Sequence, residues 1–400
     1  MAVQETKITH QDTDNNLPGN ATADLLVLNA GSSSLKYALF ERDGDLTMPQ
    51  LTGQVAGIDQ HAAANPGATG DSQPHPQTHS QALQEVLARV GGARIVAVGH
   101  RIVHGGMRFV QPVRIDDAVL QALEQLVPLA PLHQPNGLAG VRAAMAAFPG
   151  VPQIACFDTA FHAEQPDVNQ RFALPRALHD AGVRRYGFHG LSYESVMAQL
   201  ARFDPAVARG RVVVAHLGNG ASMCAIHDGK SVATTMSFSP LDGLTMGTRC
   251  GQLDAAVVLY LMQARGMAAE QITNLLYRES GLLGLSGVSS DMRELQASRL
   301  PEAAQAVTHF VEQVLQNLGK LAAAMRGLDA LVFTGGIGEN ATDLRARIMA
   351  GAAWLGLQPD PAANQSGALR ISAPGIAVSA WVVKTNEEAM IARHTATLLL

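Results

Sequence analysis

Two similar stretches lie about 185 residues apart in the sequence, and this internal duplication constrains the fold more than any other feature. Residues 25–40 read LLVLNAGSSSLKYALF, and residues 212–227 read VVVAHLGNGASMCAIH. Each combines an apolar run, one polar residue (Asn29 or His216), a turn of small residues and a second apolar run. An Asp-Gly turn and a third candidate strand follow each copy, at Leu51–Val55 and Ser231–Thr235. The repeat predicts two similar lobes with a ligand in the cleft between them.

The turn of the second copy predicts a β-hairpin whose tip can approach an anion. In Val212–Ser222 (VVVAHLGNGAS), two apolar runs flank Gly218-Asn219-Gly220. An Asn-Gly turn of this kind predicts positive φ angles at its central residues. Because the tip carries no bulky side chain, its backbone N–H groups can come close to an oxyanion. Taken alone, the pattern is typical of an ordinary hairpin, so a functional interpretation depends on the rest of the chain.

The composition is typical of a globular protein with enough residues for two hydrophobic cores. The chain has 400 residues, 47% of them hydrophobic, and a formal net charge of −5. The basic residues are scattered, which predicts no nucleic-acid partner. Three widely spaced cysteines predict free thiols in a reducing cytoplasm rather than a disulfide framework: Cys156, Cys224 and Cys250.

Two polar regions are predicted to lie outside the folded lobes. Residues 1–23 lack the apolar segment of a secretory signal and predict a disordered tail. Residues 60–80 are rich in proline, glycine and histidine and predict a surface loop, with metal binding as a disfavoured alternative. The most apolar helical segment, Ala255–Met262, is too short to span a bilayer, which predicts that there is no membrane partner.

Residues 99–106 read GHRIVHGG and allow two interpretations. The spacing of His100 and His104 would place both on one face of a helix, as in zinc proteases. The glutamate of that motif is missing and the flanking glycines disfavour a helix, so we reject a zinc site. Arg101 stands where a strand gives way to a Gly-Gly loop and is a better candidate for anion binding.

Other candidate residues follow predicted strands. Strand Val151–Phe157 ends at Asp158, a position where α/β folds place functional groups. The stretch RRYGFHG places His189 between glycines, where a histidine can be structural or functional. Strand Ala330–Thr334 precedes Gly335–Asn340, and a glycine loop between a strand and a helix is typical of phosphate or ribose binding.

Hydrophobic periodicity predicts the remaining elements. We predict helices over Gln81–Val90, Asp116–Val127, Asn136–Phe148, Leu253–Gln263 and 306–325, strands over Arg94–Val98 and Ala377–Val383, and a C-terminal helix. The sequence contains neither a Walker A motif nor a strand–GxGxxG–helix motif. A nucleotide site must therefore come from glycine hairpins in two similar lobes, as in actin-like and sugar-kinase-like folds.

Short motifs along most of the chain resemble those of acetate kinases. They are LNAGSSSLKY (28–37), GHRIVHGG (99–106), APLHQPN (130–136), FDTAFH (157–162), YGFHG (186–190), HLGNGAS (216–222), MGTRCG (246–251), FTGGIGEN (333–340) and TNEEAMIAR (385–393). The resemblance implies an α/β fold, a duplicated actin-like or ribonuclease H-like architecture with a β-β-β-α-β-α-β-α core in each of two lobes. Residues 24–158 plus 387–400 would form the N-terminal lobe, and residues 159–386 the C-terminal nucleotide-binding lobe.

The resemblance also implies an activity and its setting. Acetate kinases transfer the γ-phosphoryl group of ATP directly to acetate, giving acetyl phosphate and ADP, with Mg²⁺ or Mn²⁺ as the metal. The implied protein is a cytoplasmic homodimer of acetyl-CoA biosynthesis. Because a carboxylate is already ionised near neutral pH, the reaction needs no general base, but an anion must approach a polyanion. Two arginines, Arg101 and Arg249, are therefore expected beside the substrate and the transferring group.

By resemblance, the other catalytic residues surround the same group. His189, with Arg249, would stabilise the transition state, and His133 would support phosphoryl positioning. Asn219 would donate to the substrate or a phosphate. Because the motifs of Arg101 and Arg249 lie in different halves of the chain, we expect domain closure to bring the two arginines together.

The resemblance further implies three sets of binding residues. Mg²⁺ would be held by Asn29, Asp158 and Glu387, partly through water. Arg101 would bind the acetate carboxylate, and the methyl group would lie among Val103, Leu132, Phe188 and Pro240. The nucleotide would contact Asn29, Ser34, Lys36, His216, Leu217, Gly218, Asn219, Gly220, Asp291, Met292, Arg293, Gly335, Gly336, Ile337, Gly338 and Asn340.

Three departures from the family pattern bear on local geometry and nucleotide preference rather than on the reaction class. Met292 replaces a frequent aromatic, Gln252 a common aspartate, and Leu191-Ser192-Tyr193 a frequent Thr-Ser-His. Two alternatives stay open. A propionate or butyrate kinase would share most motifs, since one methylene is worth only about 1–3 kcal/mol in a pocket. A non-catalytic actin-like nucleotide-binding module is the other.

Overall fold

The computed structural model describes residues 23–31, 34–58, 78–131 and 133–400. Most of the predicted tail, residues 60–77 of the predicted loop, and Leu132 lie outside the described residues. The described ends of both regions correct the predicted bounds. Ala23 already belongs to a strand, and a helix begins at His79. The Thr78 hydroxyl accepts from the Gln81 N–H in a capping box, which starts this helix earlier than the periodicity predicts.

The described residues form eleven strands and sixteen α-helices. The strands are β1 (Ala23–Ala30), β2 (Ser34–Glu41), β3 (Leu51–Ala56), β4 (Arg94–Ile102), β5 (Val113–Arg114), β6 (Gln153–Phe157), β7 (Arg211–Leu217), β8 (Ala221–His227), β9 (Lys230–Thr234), β10 (Ala330–Thr334) and β11 (Ser379–Val382). The α-helices are α1 (His79–Arg89), α2 (Asp117–Glu124), α3 (Gln134–Ala147), α4 (Asp167–Gln170), α5 (Arg176–Asp180), α6 (Gly190–Phe203), α7 (Pro205–Arg209), α8 (Ala255–Gln263), α9 (Ala269–Arg278), α10 (Gly281–Ser286), α11 (Met292–Ala297), α12 (Pro301–Ala324), α13 (Gly335–Asn340), α14 (Thr342–Gly351), α15 (Pro361–Ser366) and α16 (Glu387–Thr397).

The strands form a first sheet with the order β3-β2-β1-β4-β6-β5 and a second sheet with the order β11-β10-β7-β8-β9. In the first sheet β1 pairs antiparallel with β2 and parallel with β4, which pairs parallel with β6. In the second, β7 pairs antiparallel with β8 and parallel with β10, which pairs parallel with β11. The duplicated three-strand openings and the two-sheet α/β fold are thus confirmed. The short edge strand β5 has no counterpart among the predicted elements.

The helices that follow β6 and β11 in sequence pack on the opposite sheets. Helix α6 follows β6, but its apolar residues share a core with β7 and β10 of the second sheet. Helix α16 follows β11, but it packs against β1, β4 and β6 of the first sheet. A Cβ on Gly99 of β4 would lie 2.6 Å from Ile391 Cγ2 and still closer to Thr395 Oγ1, so only glycine permits this approach. The contact places the start of α16 beside the carboxyl end of β1.

The hairpin of the second copy forms, but its turn differs from the predicted one. Strands β7 and β8 pair antiparallel up to Leu217 and Ala221, which leaves Gly218, Asn219 and Gly220 as a three-residue connection. None of the three has positive φ, so the predicted Asn-Gly backbone geometry is wrong. The longer connection turns the chain without left-handed residues, and here glycine provides space. A Cβ on Gly220 would lie 2.7 Å from Arg249 Nη2.

Two other predicted elements shift in a way that bears on the site. The long helix α12 begins at Pro301, and proline is favoured in a first helical turn because its missing N–H is not needed there. Residues Gly335–Asn340, predicted as a loop before a helix, themselves form the short helix α13 directly after β10.

In the described part of the chain, no helix combines the length and hydropathy that a bilayer crossing requires. Each of the three cysteines is a free thiol.

Candidate functional site

Two adjoining cavities in the cleft between the sheets share Gly336 in their walls. The larger, of about 660 Å³, is lined by predicted nucleotide residues of the second sheet and its helices, namely Gly218, Asn219, Asp291, Met292, Arg293, Gly336, Ile337 and Asn340. The smaller, of about 440 Å³, is lined by residues of both sheets, among them Asn29, Ser34, Lys36, Arg101, His189, His216, Gly335 and Glu387. The structure therefore joins a larger cavity on the second sheet to a polar one that the two sheets share.

An ion-pair network built around Arg101 borders the polar cavity. Arg101 lies near the end of β4 and Asp158 directly follows the neighbouring β6. Arg101 Nη2 lies 2.6 Å from Asp158 Oδ2, Nε donates to both carboxylate oxygens, and Nη1 donates to Asn29 Oδ1 at 3.3 Å. Asn29 Nδ2 donates to Glu387 at 3.2 Å and to Glu388 at 3.0 Å. The carboxyl ends of three strands and the first turn of α16 thus meet at one point.

Charge balance in this network keeps Arg101 protonated. Burial alone would lower the pKa of Arg101, but Asp158, Glu387 and Glu388 outweigh it and raise that pKa above its ordinary value. Burial raises the pKa of the Asp158 carboxyl, and the attraction of Arg101 opposes the rise. Because a buried guanidinium needs an anionic partner, we treat the two residues as an ion pair at neutral pH.

The predicted magnesium residues are brought together in a donor set that suits this ion. Asn29, Asp158 and Glu387 offer amide and carboxylate oxygens, which are the ligands that Mg²⁺ prefers, and Glu388 adds a fourth oxygen donor. The described residues contain no group of three or more His, Cys, Asp and Glu side chains that could hold a metal ion. Mg²⁺ usually keeps several water ligands, so a few carboxylates at a cleft fit it better than a cage.

Arg249 is a partly buried cation without a carboxylate partner among the described residues. Its Nη1 donates to the Pro240 carbonyl at 2.7 Å, and a Cβ on Gly220 would meet its Nη2. Burial and, to a smaller degree, repulsion from Arg101 lower its pKa to about 10, so the group stays protonated near neutral pH. A charged group left unpaired in this way is well suited to an anionic ligand.

His189 lies between the glycine turn and α6. It precedes α6 in a left-handed conformation with φ of 59°, and its Nδ1 is 2.8 Å from Ser222 Oγ. Its ring stacks on the ring of His216, with centroids 4.3 Å apart and an interplanar angle of 24°. Burial, followed by His216 and the two arginines, lowers the pKa of His189 well below its ordinary value. The ring is therefore neutral near pH 7 and offers a hydrogen bond rather than a charge.

His133 is the residue before α3, and its electrostatic environment links it to both arginines. Burial, Arg249 and Arg101 together lower its pKa to about 3. The next residue, Gln134, which is buried, accepts from the His104 N–H at 3.2 Å and donates to the His104 carbonyl at 3.1 Å. The start of α3 is thus fixed to the turn that follows β4. Sequence reasoning assigned no role to Gln134.

The residues of the predicted apolar pocket are described in part. Val103 and Phe188 are both buried in the same hydrophobic core. Pro240 is buried as well and reaches the site through the hydrogen bond from Arg249 to its carbonyl. Leu132 lies outside the described residues. None of the three described residues lines either cavity, so the apolar pocket stays a prediction.

The larger cavity has one polar and one apolar border. Asp291 caps α11 by accepting from the Arg293 N–H, and its carboxylate pairs with the Arg293 guanidinium, Nη2 to Oδ2 2.5 Å. The Arg293 hydrogen bonds lower the pKa of Asp291 to about 2. Met292 is almost wholly packed in the core and reaches the cavity with one edge. Leu217, in contrast, is buried and lines neither cavity.

Two side chains that sequence reasoning missed, the buried Arg345 and the partly buried Glu339, hold the glycine-rich helix α13. Arg345 Nη1 donates to the carbonyls of Gly338 and Glu339 at 2.9 and 2.8 Å, and its other nitrogens donate to Asn364. Glu339 Oε1 accepts from the Gly335 N–H at 3.0 Å. Only the position of Arg345 shortly after a glycine motif could have marked it, because most of its partners are backbone carbonyls. Ser222, next to the glycine turn, was missed because its partners are the side chains of His189 and Tyr193, which lie outside its own motif.

Comparison with known proteins gives a consistent result. The model of the acetokinase family matches residues 24–393. Acetate kinase of Methylocella silvestris is 51% identical over 396 residues, which cover 94% of this chain and 98% of that protein. The crystal structure of Porphyromonas gingivalis acetate kinase has a TM-score of 0.83 at 37% identity and covers 95% of this chain and 100% of that one. That of a Francisella tularensis propionate kinase has a TM-score of 0.85 at 37% identity, with coverage of 94% and 100%. The chain therefore belongs to the acetokinase family.

Proposed function

We propose that this protein catalyses the reversible transfer of the γ-phosphoryl group of ATP to acetate, giving acetyl phosphate and ADP. The observation that carries the proposal is Arg249, a partly buried cation without a carboxylate partner among the described residues. Its Nη2 lies close to Gly220, as does His189, whose side chain lines the polar cavity together with Arg101. A second cavity, whose walls include Gly218 and Gly336, adjoins it and would hold the nucleotide. The two adjoining cavities together would hold a small anion next to the phosphates of a nucleotide.

The arginines answer the main difficulty of this reaction, which is charge. An acetate oxygen has to approach a phosphoryl group that already carries negative charge, and no proton has to be removed from the carboxylate. Arg249, free of a carboxylate partner in the described chain, would take the acetate or the transferring group, and Arg101 would face the same group. Guanidinium groups suit this role because their planar fork matches carboxylate and phosphoryl oxygens.

Neutral histidines would complete the oxyanion site. Their lowered pKa values mean that His189 and His133 stay uncharged near pH 7. His189 would donate a hydrogen bond to equatorial phosphoryl oxygens of the transition state, where preorganised donors are most effective. His133 would support phosphoryl positioning from the start of α3, and Asn219 would donate from the glycine turn.

We assign Mg²⁺, or Mn²⁺ in its place, to Asn29, Asp158 and Glu387, whose oxygen donors suit it. The ion would neutralise charge on the β- and γ-phosphates. Asp158 and Asn29 would at the same time orient the Arg101 guanidinium, to which both are hydrogen-bonded. Because Asp158 and Asn29 would bind both Arg101 and the metal ion, replacement of either residue would disturb the position of the arginine and of the ion.

The nucleotide would lie along the two cavities. The adenine would lie between the Asp291–Arg293 segment and Ile337, with the thioether of Met292 in place of an aromatic ring. The phosphates would pass Gly336, which borders both cavities, toward Ser34, Lys36 and His216. The remaining predicted residues flank this path: Gly218, Asn219, Gly220, Gly335, Gly338 and Asn340, with Leu217 supporting them from the core.

Acetate is our preferred acid, with propionate as the alternative. The methyl group would contact Val103, Phe188 and Pro240, with Leu132 as a fourth wall. Relatives that are about half identical carry the name acetate kinase, whereas a structure 37% identical belongs to a propionate kinase. One methylene changes binding by only about 1–3 kcal/mol, so the assay has to compare the acids directly.

We further propose two lobes that close on the substrates, residues 24–158 with 387–400 and residues 159–386. The packing of α16 on the first sheet supports the assignment of the C-terminal residues. Arg101 belongs to the first of these lobes and Arg249 to the second, so closure would tighten both on the phosphoryl group. A cytoplasmic location accords with three free thiols.

A homodimer through α8 is the assembly that we propose. This helix reads AAVVLYLMQ and has no buried residue, so its apolar side chains face outward. Leu259 and Tyr260 are each 54% exposed and Met262 is 46% exposed. An apolar helix in water usually belongs to an interface, and a second copy would bury it symmetrically. Tyr260→Glu should turn a dimer in sedimentation velocity into a monomer, and a wild-type monomer would refute the assignment.

The activity itself is tested by trapping acyl phosphate with hydroxylamine. The enzyme is incubated with MgATP and acetate, propionate or butyrate in parallel, and acyl hydroxamate is measured over time. The highest kcat/KM on acetate supports the proposal. A preference for a longer acid keeps the phosphoryl transfer and changes the substrate. Folded protein that binds ATP without any turnover would point instead to a nucleotide-binding module.

A further inference from the structure

We propose that Ser222 and Tyr193 fix the proton of His189 on Nε2, so that the ring always presents an N–H to the cleft. The inference rests on the proposed function of His189 as a donor to the phosphoryl group. It names two positioning residues that act through the histidine and do not themselves contact substrate.

A hydrogen-bonded chain of three side chains starts in the core and ends at the cleft. Tyr193 and Ser222 are fully buried, and the Tyr193 hydroxyl is hydrogen-bonded to Ser222 Oγ. Ser222 Oγ in turn lies 2.8 Å from His189 Nδ1. Burial raises the pKa of Tyr193 well above its ordinary value, so the phenol keeps its proton. His189 is the only one of the three with a side chain that lines the polar cavity among the described residues.

The direction of the bonds follows from which group can give a proton. Thr234, another hydroxyl close to the phenol, donates to the Met223 carbonyl at 3.1 Å and so offers no proton to Tyr193. A phenol is more acidic than an alcohol and is the better donor of the two. Tyr193 therefore donates to Ser222, and the serine has its own proton left for His189 Nδ1. A neutral imidazole that accepts at Nδ1 carries its proton on Nε2.

The surroundings of the ring agree with this orientation. A Cβ on Gly220 would lie 3.4 Å from His189 Nε2, so that nitrogen faces the glycine turn. The same Cβ would lie 2.7 Å from Arg249 Nη2, which places the two donors on one side of the cleft. The stacked His216 is held in a similar way, with its Nδ1 2.8 Å from the buried Ser192 Oγ. Rotation of either ring would break a hydrogen bond to a buried serine hydroxyl.

The inference matters for catalysis because the two tautomers have opposite effects. With the proton on Nε2, the neutral ring donates to an anionic phosphoryl oxygen. With the proton on Nδ1, the ring would point a lone pair at the same oxygen and repel it. By fixing the tautomer, Ser222 and Tyr193 determine whether His189 stabilises or repels the phosphoryl oxygen.

The experiment is nitrogen NMR of the full-length enzyme labelled with ¹⁵N-histidine, with His189→Gln used to assign the resonances. We expect a protonated Nε2 and an unprotonated Nδ1 for His189 near pH 7.5, in the absence of substrates. Ser222→Ala should give a mixture of tautomers and lower kcat on the order of 10-fold or more, with little change in the KM values of ATP and acetate. Tyr193→Phe should act in the same direction, and the double variant should be no worse than Ser222→Ala.

A matched control removes a different buried tyrosine hydroxyl. Tyr186 donates to the Gly182 carbonyl at 2.8 Å and is not part of the chain, so Tyr186→Phe should leave the tautomer and kcat unchanged. A proton on Nδ1 in the wild-type enzyme would overturn the inference, as would Ser222→Ala with the kcat of the wild type. Absence of turnover with every acid would instead overturn the proposed function, while the tautomer would still be read from the free enzyme.

Discussion

The guanidinium of Arg101 and the carboxylate of Asp158 meet at the carboxyl ends of neighbouring parallel strands, with Nη2 2.6 Å from Oδ2. Arg249 has no such partner in the described part of the chain. The two arginines of the cleft are therefore not equivalent. One is held and partly neutralised by the protein, and the other has its charge available for a ligand.

Replacement of Arg249 tests this difference. We expect Arg249→Ala to lower kcat at saturating acetate by about 100-fold or more, because a donor aimed at the developing charge is lost. The thermal midpoint should not fall, since the side chain compensates no buried anion. Steady-state kinetics and a melting curve provide both readings. Arg347→Ala, at an exposed arginine bonded to Thr308, serves as the control, and near-normal turnover of Arg249→Ala would refute the role.

Glu387 is expected to control the metal requirement. We predict that Glu387→Gln raises the half-saturating Mg²⁺ concentration by about 10-fold, because a charged oxygen donor near the phosphates is replaced by an amide. Chelation of Mg²⁺ by EDTA should abolish turnover of the wild type. The measurement is initial rate against free Mg²⁺ at fixed ATP. Glu302→Gln in the exposed first turn of α12 should leave the curve in place, and an unchanged curve for Glu387→Gln would exclude a metal role.

Arg345 is expected to stabilise the folded protein by holding the glycine-rich helix α13, without a direct part in the reaction. Its guanidinium is almost completely buried and donates to three carbonyls and the Asn364 side chain. Arg345→Met leaves these acceptors unpaired and should lower the free energy of unfolding by about 3 kcal/mol. Urea denaturation measures the loss. Arg142→Ala, at a surface ion pair with Glu124, should change stability by less than about 1 kcal/mol. Equal effects of the two variants would contradict the prediction.

His100 should make stability depend on pH. Burial lowers its pKa from 6.5 to about 4, although Gln153 is hydrogen-bonded to the ring. Between these values the unfolded chain binds more protons than the folded one, so the free energy of unfolding falls as the pH falls. At pH 5 the loss attributable to one such histidine is about 2 kcal/mol.

The test compares urea denaturation near pH 7.5 and pH 5 for the wild type and His100→Asn. Between pH 7.5 and pH 5, the free energy of unfolding should fall by about 2 kcal/mol less in His100→Asn than in the wild type. His227→Asn, at an exposed position, should follow the wild-type curve. Parallel curves for all three proteins would show that His100 does not titrate as inferred.

The elements that sequence patterns predicted well are those fixed by local hydrophobic alternation. The duplicated β-hairpins, the strand Ala330–Thr334 and the long helix ending near Ala324 depend on such patterns. The turn at Gly218–Gly220 was predicted with the wrong backbone geometry. Its glycines are required because a side chain there would collide with Arg249 and approach the histidine rings, and not because the backbone needs a positive φ. The edge strand β5 forms only through pairing with β6 and has no pattern of its own.

The site shows the same division. Arg101, Asp158, Arg249 and His189 stand in recognisable motifs, and the structure places them around one cleft, although their roles remain predictions. Residues that act through backbone atoms or through a second side chain, such as Arg345 and Ser222, have no signature in a single sequence. Their importance follows only from contacts between segments that are far apart along the chain.

The packing of α16 on the first sheet has a consequence for folding during synthesis of the chain. Ala389 and Ile391 belong to the same core as Leu25 and Val27, which the ribosome produces more than 350 residues earlier. The first sheet therefore cannot complete this core until α16 has been synthesised. A nascent chain that ends before α16 would lack part of that core and also Glu387 at the cleft. The first strand in the sequence thus keeps one apolar face uncovered until a helix from beyond the far end of the second lobe's segment packs on it.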